Sequence, residues 1–128
     1  MSKVVLDASC LLALIKNERG AEIVEQLLGN IIMSSINVSE VATVLLDSEM
    51  TEEECKSSIE PFIDSIIPFC ENQAFVAASL KKHTKKLGLS LGDRACIALG
   101  IKTGFKVYTA DKIWKNLEIK NVDIRLIR

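Results

Sequence analysis

Aromatic residues are scarce in this chain, which has one Trp, one Tyr and four Phe among its 128 residues. Since 48% of the residues are nevertheless hydrophobic, the core must be built from Leu, Ile, Val and Ala. No stretch rich in Pro, Gly or Ser divides the chain, and it contains no internal repeat. A length of 128 residues is enough for a substantial core, so we expect residues 1–128 to form a single domain.

The chain also lacks an apolar run long enough to cross a bilayer, which takes about 20 residues. The apolar segment Val4–Ile15 is too short and is interrupted by Asp7. No small-residue cleavage site precedes Lys16–Arg19, so the segment does not have the pattern of a signal peptide. We therefore expect a protein without membrane association.

Cysteine and histidine offer no metal or redox motif. The four cysteines, at positions 10, 55, 70 and 96, form neither a CxxC pair nor a zinc pattern. Cys10 and Cys96 lie in apolar helical stretches, where a free cysteine behaves as a small hydrophobe. We expect all four to be reduced, as in a cytoplasmic protein. His83 is the only histidine and lies in a basic run, so we expect it to be exposed rather than catalytic.

The net charge of −1 conceals an asymmetry between the two parts of the chain. Residues 1–80 carry a net charge of −9, and residues 81–128 carry a net charge of +8. Such an asymmetry indicates an anionic partner for the basic part. The alternative is that the acidic and basic faces pair within the fold or across a dimer.

Apolar runs alternate with helical patterns along the chain, which predicts a parallel sheet covered by helices on both faces. The predicted strands are Lys3–Leu6, Ile31–Met33, Ile66–Phe69 at an edge, Lys106–Tyr108 and Val122–Ile127. The predicted helices are Cys10–Lys16, Ala21–Leu28, one opened by an Asn37-x-x-Glu40 capping box, one opened by Thr51-x-x-Glu54, Gln73–Leu87 and Gly92–Thr103. The segment Asp111–Asn116 is expected to form a helical turn.

Four acids occupy positions that such a sheet would bring to one edge. Asp7 and Asp111 follow strands, while Glu40 and Asp93 lie near helix starts. Strand C-termini and the helix starts after them share one edge, where ligands bind in open α/β sheets. Carboxylates gathered there would repel one another unless a cation neutralised them, and their hard oxygen atoms suit Mg²⁺ or Mn²⁺. One or two such ions can promote phosphodiester cleavage.

A purely structural interpretation stands beside the catalytic one. Glu40 and Asp93 each fit a capping box, and Asp7 fits a helix N-cap. Asp7 and Asp111 are harder to explain in this way, because strand-end acids at that edge serve no general structural need.

Several motifs in order resemble the PIN-domain ribonucleases, and more closely the VapC-type toxins of toxin–antitoxin pairs. They are VLDASCLLALIKNERGAE, INVSEVATVL, LGLSLGDRACIALG, KVYTADKIWKNL and the closing IRLIR. The resemblance implies a three-layer α/β/α fold with a parallel sheet of about five strands. It also implies Mg²⁺- or Mn²⁺-dependent endonucleolytic cleavage of RNA, often tRNA or another structured RNA. A VapB-type antitoxin and a homodimer are the partners that it implies.

The resemblance also assigns residues. Asp7, Glu40, Asp93 and Asp111 match the family's four acidic positions, which would bind metal and carry catalysis. Polar positions that commonly support the site are matched by Ser9, Asn37 and Thr109. We add candidate RNA phosphate contacts in the basic part of the chain: Lys81, Lys82, Lys85, Lys86 and Arg94.

Some alternatives stay open at this point. Some family members carry a further acid after the last Asp, but Lys112–Leu117 has none, which leaves the choice between one and two metal ions undecided. Trp114 could stack on a base or anchor the last helical turn.

A non-catalytic PIN-like module that binds only RNA or protein is the main functional alternative. A HAD-type phosphatase carries the motif DxD after its first strand. The corresponding residues here are Asp7-Ala-Ser, which lack the second Asp.

The acidic segment between Thr51 and Phe75 carries several apolar residues. Those that are not needed in the core would form a groove for an antitoxin helix.

Overall fold

The computed structural model describes residues 2–128, which form a five-stranded, all-parallel sheet in the order β3-β2-β1-β4-β5. The strands are β1 (Val4–Leu6), β2 (Ile31–Ser34), β3 (Ser65–Ile67), β4 (Lys106–Thr109) and β5 (Ile124–Leu126). The central strand β1 pairs on both sides: its Val5 lies opposite Ile32 of β2 and Val107 of β4. A parallel sheet is therefore confirmed, with β3 at an edge as predicted.

In the described part of the chain, seven α-helices accompany the strands: α1 (Ala8–Ile15), α2 (Ala21–Glu25), α3 (Ser35–Asp47), α4 (Glu52–Ile59), α5 (Glu71–Ser79), α6 (Lys81–Thr84) and α7 (Leu91–Thr103). Short 3₁₀ turns cover Glu60–Phe62, Lys85–Leu87 and Lys112–Asn116. Within residues 2–128, no helix has the length and apolarity needed to cross a membrane.

Alternation along β1 divides the core between the two faces of the sheet. Val4 and Leu6 pack with residues of α1 to α4, whereas Val5 packs with residues of α5 and α7. Successive side chains of a strand point to opposite faces, so a strand buried on both sides needs apolar residues at every position. The resulting arrangement is the predicted three-layer α/β/α fold.

The strand order creates a switch point between β1 and β4. The chain moves from β1 to β2 and β3 on one side of the sheet, then returns to β4 and β5 on the other side. In open parallel sheets, the crevice at the C-terminal ends of the two strands beside such a point is where ligands bind. Asp7 follows β1 directly, and Asp111 follows β4 after one residue.

The prediction that Asn37 and Glu40 form a capping box is wrong. The N-cap of α3 is Ser34, three residues before the predicted cap, because Ser34 at the end of β2 accepts a hydrogen bond from Ile36 N–H. Asn37 is therefore inside the helix, and its side chain is directed to α7 instead. The Thr51–Glu54 capping box is confirmed.

A single helix over Gln73–Leu87 is also wrong, because α5 ends at Ser79 and the chain continues as α6 and a 3₁₀ turn. The Thr84 hydroxyl donates to the Leu80 carbonyl oxygen at 2.9 Å, a type of bond that bends helices. Lysines at i and i+4 repel each other in a continuous helix, and this segment contains two such pairs. Phe75 on α5 is 70% exposed.

Candidate active site

Asp7 is a buried carboxylate at the end of β1, with both oxygen atoms hydrogen-bonded. Its Oδ1 accepts from the Ser9 hydroxyl at 2.6 Å and from Cys10 N–H at 3.1 Å, and its Oδ2 accepts from the Thr109 hydroxyl at 2.6 Å. The bond from Cys10 makes Asp7 the N-cap of α1. The structural role that the sequence suggested is thus real, and it coexists with a position at the switch point.

Burial raises the pKa of Asp7 from 3.8 to about 6. The hydrogen bonds from Ser9, Thr109 and Cys10 act in the opposite direction, since they stabilise the ionised form. The negative charge of Asp93 adds to the increase in the pKa of Asp7. Asp93 is therefore within electrostatic range of Asp7.

Two hydroxyl groups connect the end of β1 to the end of β4. The buried Thr109 hydroxyl donates to Asp7 and accepts a hydrogen bond from Asp111 N–H at 3.0 Å. The Ser9 hydroxyl donates to Asp7 and accepts from Ala110 N–H at 2.9 Å. Asp111 Oδ1 then accepts from Ile113 N–H at 3.0 Å and caps the 3₁₀ turn that follows. One network thus joins three of the predicted site residues to the backbone of Asp111.

Asp93 lies in the first turn of α7 and belongs to a capping box. Its Oδ2 accepts from Ser90 N–H at 2.9 Å, and its own N–H donates to the Ser90 hydroxyl oxygen at 3.1 Å. The capping box predicted from the sequence is confirmed. The capping box uses only one of the two carboxylate oxygens of Asp93.

Glu40 reaches the same turn of α7 from α3. Asn37 is 1% exposed, and its Nδ2 donates to Glu40 Oε1 and to the Gly92 carbonyl oxygen, each at 2.9 Å. Glu40 is consequently held beside Gly92, the neighbour of Asp93 in the chain.

The electrostatics of Cys96 show that these acids share one region. Burial raises the pKa of the Cys96 thiol well above its ordinary value of 9.0, and the charges of Asp7, Asp93 and Glu40 raise it further. Cys96 is one helical turn after Asp93 on α7. Three of the four predicted acids therefore act on one buried position below the sheet edge.

The donor chemistry of these acids suits a hard divalent cation. Within residues 2–128, the hydrogen bonds to Glu40, Asp93 and Asp111 each use a single carboxylate oxygen. Oxygen donors of this kind are the ligands that Mg²⁺ and Mn²⁺ prefer. As placed, however, no three Asp, Glu, His or Cys side chains in this described range lie close enough together to hold an ion. The carboxylates would have to close around a cation on binding.

The predicted RNA-binding residues differ in their environments. Lys81, Lys82, Lys85 and Lys86 are exposed and make no ion pair with any residue in the range 2–128. Arg94 is half-buried, and its Nη1 donates to the Ala77 carbonyl oxygen at 3.0 Å, which ties α7 to α5. An RNA contact by Arg94 stays a prediction.

Trp114 and His83 differ in their exposure. Trp114 is 1% exposed and packs in the core beside α7, so it anchors the 3₁₀ turn rather than presenting its ring to a base. His83 is exposed, as expected.

Gly92 is the position that the sequence interpretation overlooked. A glycine at the second position of a helix, where it contributes no cap, weakens the helix and often marks a close approach of another group. That signal was available in the sequence.

Comparison with known proteins identifies the PIN domain over residues 4–120. No curated protein sequence matches the chain. A DNA-bound VapBC complex from Salmonella typhimurium contains a chain of similar fold, with a TM-score of 0.73, 17% identity and complete coverage of both chains.

Two other solved structures extend this likeness. VapBC2 from Rickettsia felis, bound to a promoter DNA fragment, matches with a TM-score of 0.73 and 21% identity over 96% of this chain and 97% of that one. VapC20 from Mycobacterium tuberculosis, described as a toxin that cleaves the sarcin–ricin loop, matches with a TM-score of 0.69 and 12% identity, over 90% and 96% of the two chains. At these identities, the likeness establishes a shared fold.

Proposed function

The chain belongs to the PIN domain family, and we propose that it is a divalent-metal-dependent endoribonuclease toxin of the VapC type. The observation that carries this proposal is the network at the switch point. Asp7 is buried there between the hydroxyls of Ser9 and Thr109, and the charge of Asp93 acts on it. A buried carboxylate close to a second one is costly until a cation compensates both.

The proposed cofactor is Mg²⁺ or Mn²⁺, held as one or two ions by Asp7, Asp93, Asp111 and Glu40. A bound divalent cation would supply Lewis-acid chemistry, which makes water a better nucleophile and neutralises charge on the phosphodiester. The protein contributes the orientation of the carboxylates. Ser9 and Thr109 orient Asp7 through hydrogen bonds, and Asn37 orients Glu40 in the same way.

The proposed substrate is RNA, with tRNA or another structured RNA as the leading class. One solved relative in fold is described as cleaving the sarcin–ricin loop. The exposed lysines of α6 and the following 3₁₀ turn would contact the phosphate backbone. An RNA substrate, together with four free cysteines, is consistent with a cytoplasmic location.

The proposed protein partner is a VapB-type antitoxin. Several solved proteins of the same fold are toxin–antitoxin complexes. An apolar groove of about 300 Å³ lies between α3 and α4, within reach of β3, and its lining includes Leu46, Ile59 and Ile66. Ile66 is 43% exposed, so the apolar residues of the acidic segment between Thr51 and Phe75 are not all buried within one subunit. Leu46, which precedes that segment on α3, is 40% exposed. We propose that an antitoxin helix occupies this groove.

We also propose a homodimer, which sedimentation velocity would test. Phe75 on α5 is exposed over 70% of its surface, and a second subunit would cover it. Purified chain that sediments as a monomer at micromolar concentration would exclude this assembly.

The deciding experiment is cleavage of tRNA and rRNA by the purified chain in Mg²⁺ or Mn²⁺. EDTA and Asp7→Asn are the two arms that should abolish cleavage. Equal cleavage in all arms would exclude a metal-dependent nuclease and indicate a contaminant.

A non-catalytic PIN-like module is the second candidate. It is favoured by one observation, that within residues 2–128 no three potential ligands are gathered closely enough to hold an ion. In that case RNA would bind without cleavage, and Mn²⁺ would not bind to the chain.

A further inference from the structure

We infer that Gly92 is a positioning residue, whose missing side chain makes room for the Glu40 carboxylate against the first turn of α7. A Cβ atom at position 92 would lie 2.1 Å from Oε2, 2.4 Å from Cδ and 2.5 Å from Oε1 of Glu40. All three nearest atoms thus belong to one carboxylate group. No side chain larger than hydrogen fits at position 92 while Glu40 keeps this orientation.

The backbone itself does not require glycine at this position. Gly92 is buried in a regular helix and is absent from the glycines with positive φ. Alanine would be the better residue in such a conformation, since glycine weakens a helix interior. The contact with Glu40 therefore accounts for a residue that the helix alone would disfavour.

Asn37 completes the arrangement from the other side. Its Nδ2 group donates to Glu40 Oε1 and to the Gly92 carbonyl oxygen, so one amide fixes the carboxylate relative to α7. The Oδ1 atom of Asn37 is buried without a hydrogen-bond partner among residues 2–128. A buried acceptor without a partner is costly, so the amide donor must provide the compensating benefit.

The consequence is that two acids from different helices are held at the same turn of α7. Asp93 follows Gly92 directly and is held by its own capping box. Because the Glu40 carboxylate packs against Gly92, the carboxylates of Glu40 and Asp93 are both oriented relative to the same helical turn. The partial positive charge at the start of α7 stabilises an acid at this position. The contact between Gly92 and the Glu40 carboxylate is a packing relationship that does not depend on the proposed function. Only its consequence for metal binding rests on that function.

The test compares Gly92→Ala, Glu40→Asp and the double variant, with Leu91→Ala as the control in the same turn. Gly92→Ala should melt at or above the wild-type temperature in EDTA, because a flexible side chain can move away from the new methyl group. Its affinity for Mn²⁺, measured by calorimetry, should fall roughly 10- to 100-fold, as is typical when a supporting partner of a ligand is changed. In the Glu40→Asp background the same change should cause no further loss, since the shorter side chain leaves room for the methyl group.

Two results would overturn the inference: wild-type Mn²⁺ affinity in Gly92→Ala, or an equal loss in both backgrounds. If the wild-type chain binds no Mn²⁺, the metal-dependent function fails, and the inference is decided by ¹³C NMR of the Glu40 carboxyl group. A Glu40 carboxyl signal that is displaced by Gly92→Ala but not by Leu91→Ala supports the packing of Glu40 against Gly92. An unchanged signal overturns it.

Discussion

The hydroxyl oxygen of Thr109 lies 2.6 Å from Oδ2 of Asp7, although 102 positions separate the two residues in the sequence. The bond joins the ends of the two strands that flank the switch point, and both residues are buried. The same hydroxyl accepts from Asp111 N–H at 3.0 Å. The conformation of one acid is thereby coupled to the backbone of another.

Thr109→Val should impair the site more than the fold. The valine would leave Asp111 N–H and Asp7 Oδ2 without this partner, so RNA cleavage should fall roughly 10- to 100-fold and stability by about 1–3 kcal/mol. Cleavage kinetics and urea denaturation measure the two effects. Thr43→Val is the matched control, because the Thr43 hydroxyl bonds only within α3 and is exposed. Equal cleavage by the two variants would remove Thr109 from the site.

The raised pKa of Asp7 predicts a pH dependence of stability in EDTA. The folded state binds this proton more tightly than the unfolded state, so the free energy of unfolding should fall as the pH rises from about 4 to about 6. The contribution of this group is about 3 kcal/mol at most. Asp7→Asn should remove it, so that denaturation curves of the variant lack this part of the slope. The exposed Asp47→Asn should keep the wild-type slope, and an unaltered slope in Asp7→Asn would contradict the assignment.

Replacing Lys81, Lys82, Lys85 and Lys86 by Gln should weaken RNA binding and make it less sensitive to salt. For single-stranded RNA, the slope of log K against log salt concentration should decrease by roughly 0.7 for each phosphate that the variant no longer neutralises. Fluorescence anisotropy over a range of KCl concentrations measures this slope. A control with four exposed lysines elsewhere (Lys3, Lys16, Lys56 and Lys106) carries the same change in charge. If both variants show the same slope, the basic segment is a solvated surface that does not bind RNA.

Charged substitutions in the apolar groove should separate antitoxin binding from catalysis. Leu46→Glu and Ile66→Glu place a carboxylate in the groove at positions that are already partly exposed, so the fold should tolerate them. Affinity for the co-expressed antitoxin should drop at least tenfold, while RNA cleavage should stay at the wild-type rate. Leu28→Glu is the control, since Leu28 is equally exposed and lies outside the groove. Full antitoxin binding by both groove variants would place the partner on another surface.

The sheet and the positions of the acids could be predicted because they depend on local patterns. The buried strand β1 is a continuous apolar run that Asp7 follows directly, and Asp111 follows β4 after one residue. The capping box of Ser90 and Asp93 is likewise a local arrangement, and it is present as predicted.

One error, at Asn37, arose where a distant contact decided the structure. Asn37 has the spacing of a cap, but Ser34 caps the helix, and the Asn37 amide bonds to a carbonyl 55 residues away. The end of α5 at Ser79 is a local feature that the hydrophobic pattern does not include.

The most direct test of the central claim is whether Asp7 and Asp93, two of the four acids, act as one centre. Rates of RNA cleavage in Mn²⁺ should be measured for Asp7→Asn, Asp93→Asn and the double variant, each with a melting curve to show that the chain is folded. If both acids serve a single metal-dependent site, each single variant should lose at least about 100-fold in kcat/KM. The double variant should then be scarcely slower than either single one, because residues that act as a unit are not additive. Folded single variants with near wild-type rates, or losses that simply multiply in the double variant, would contradict the account.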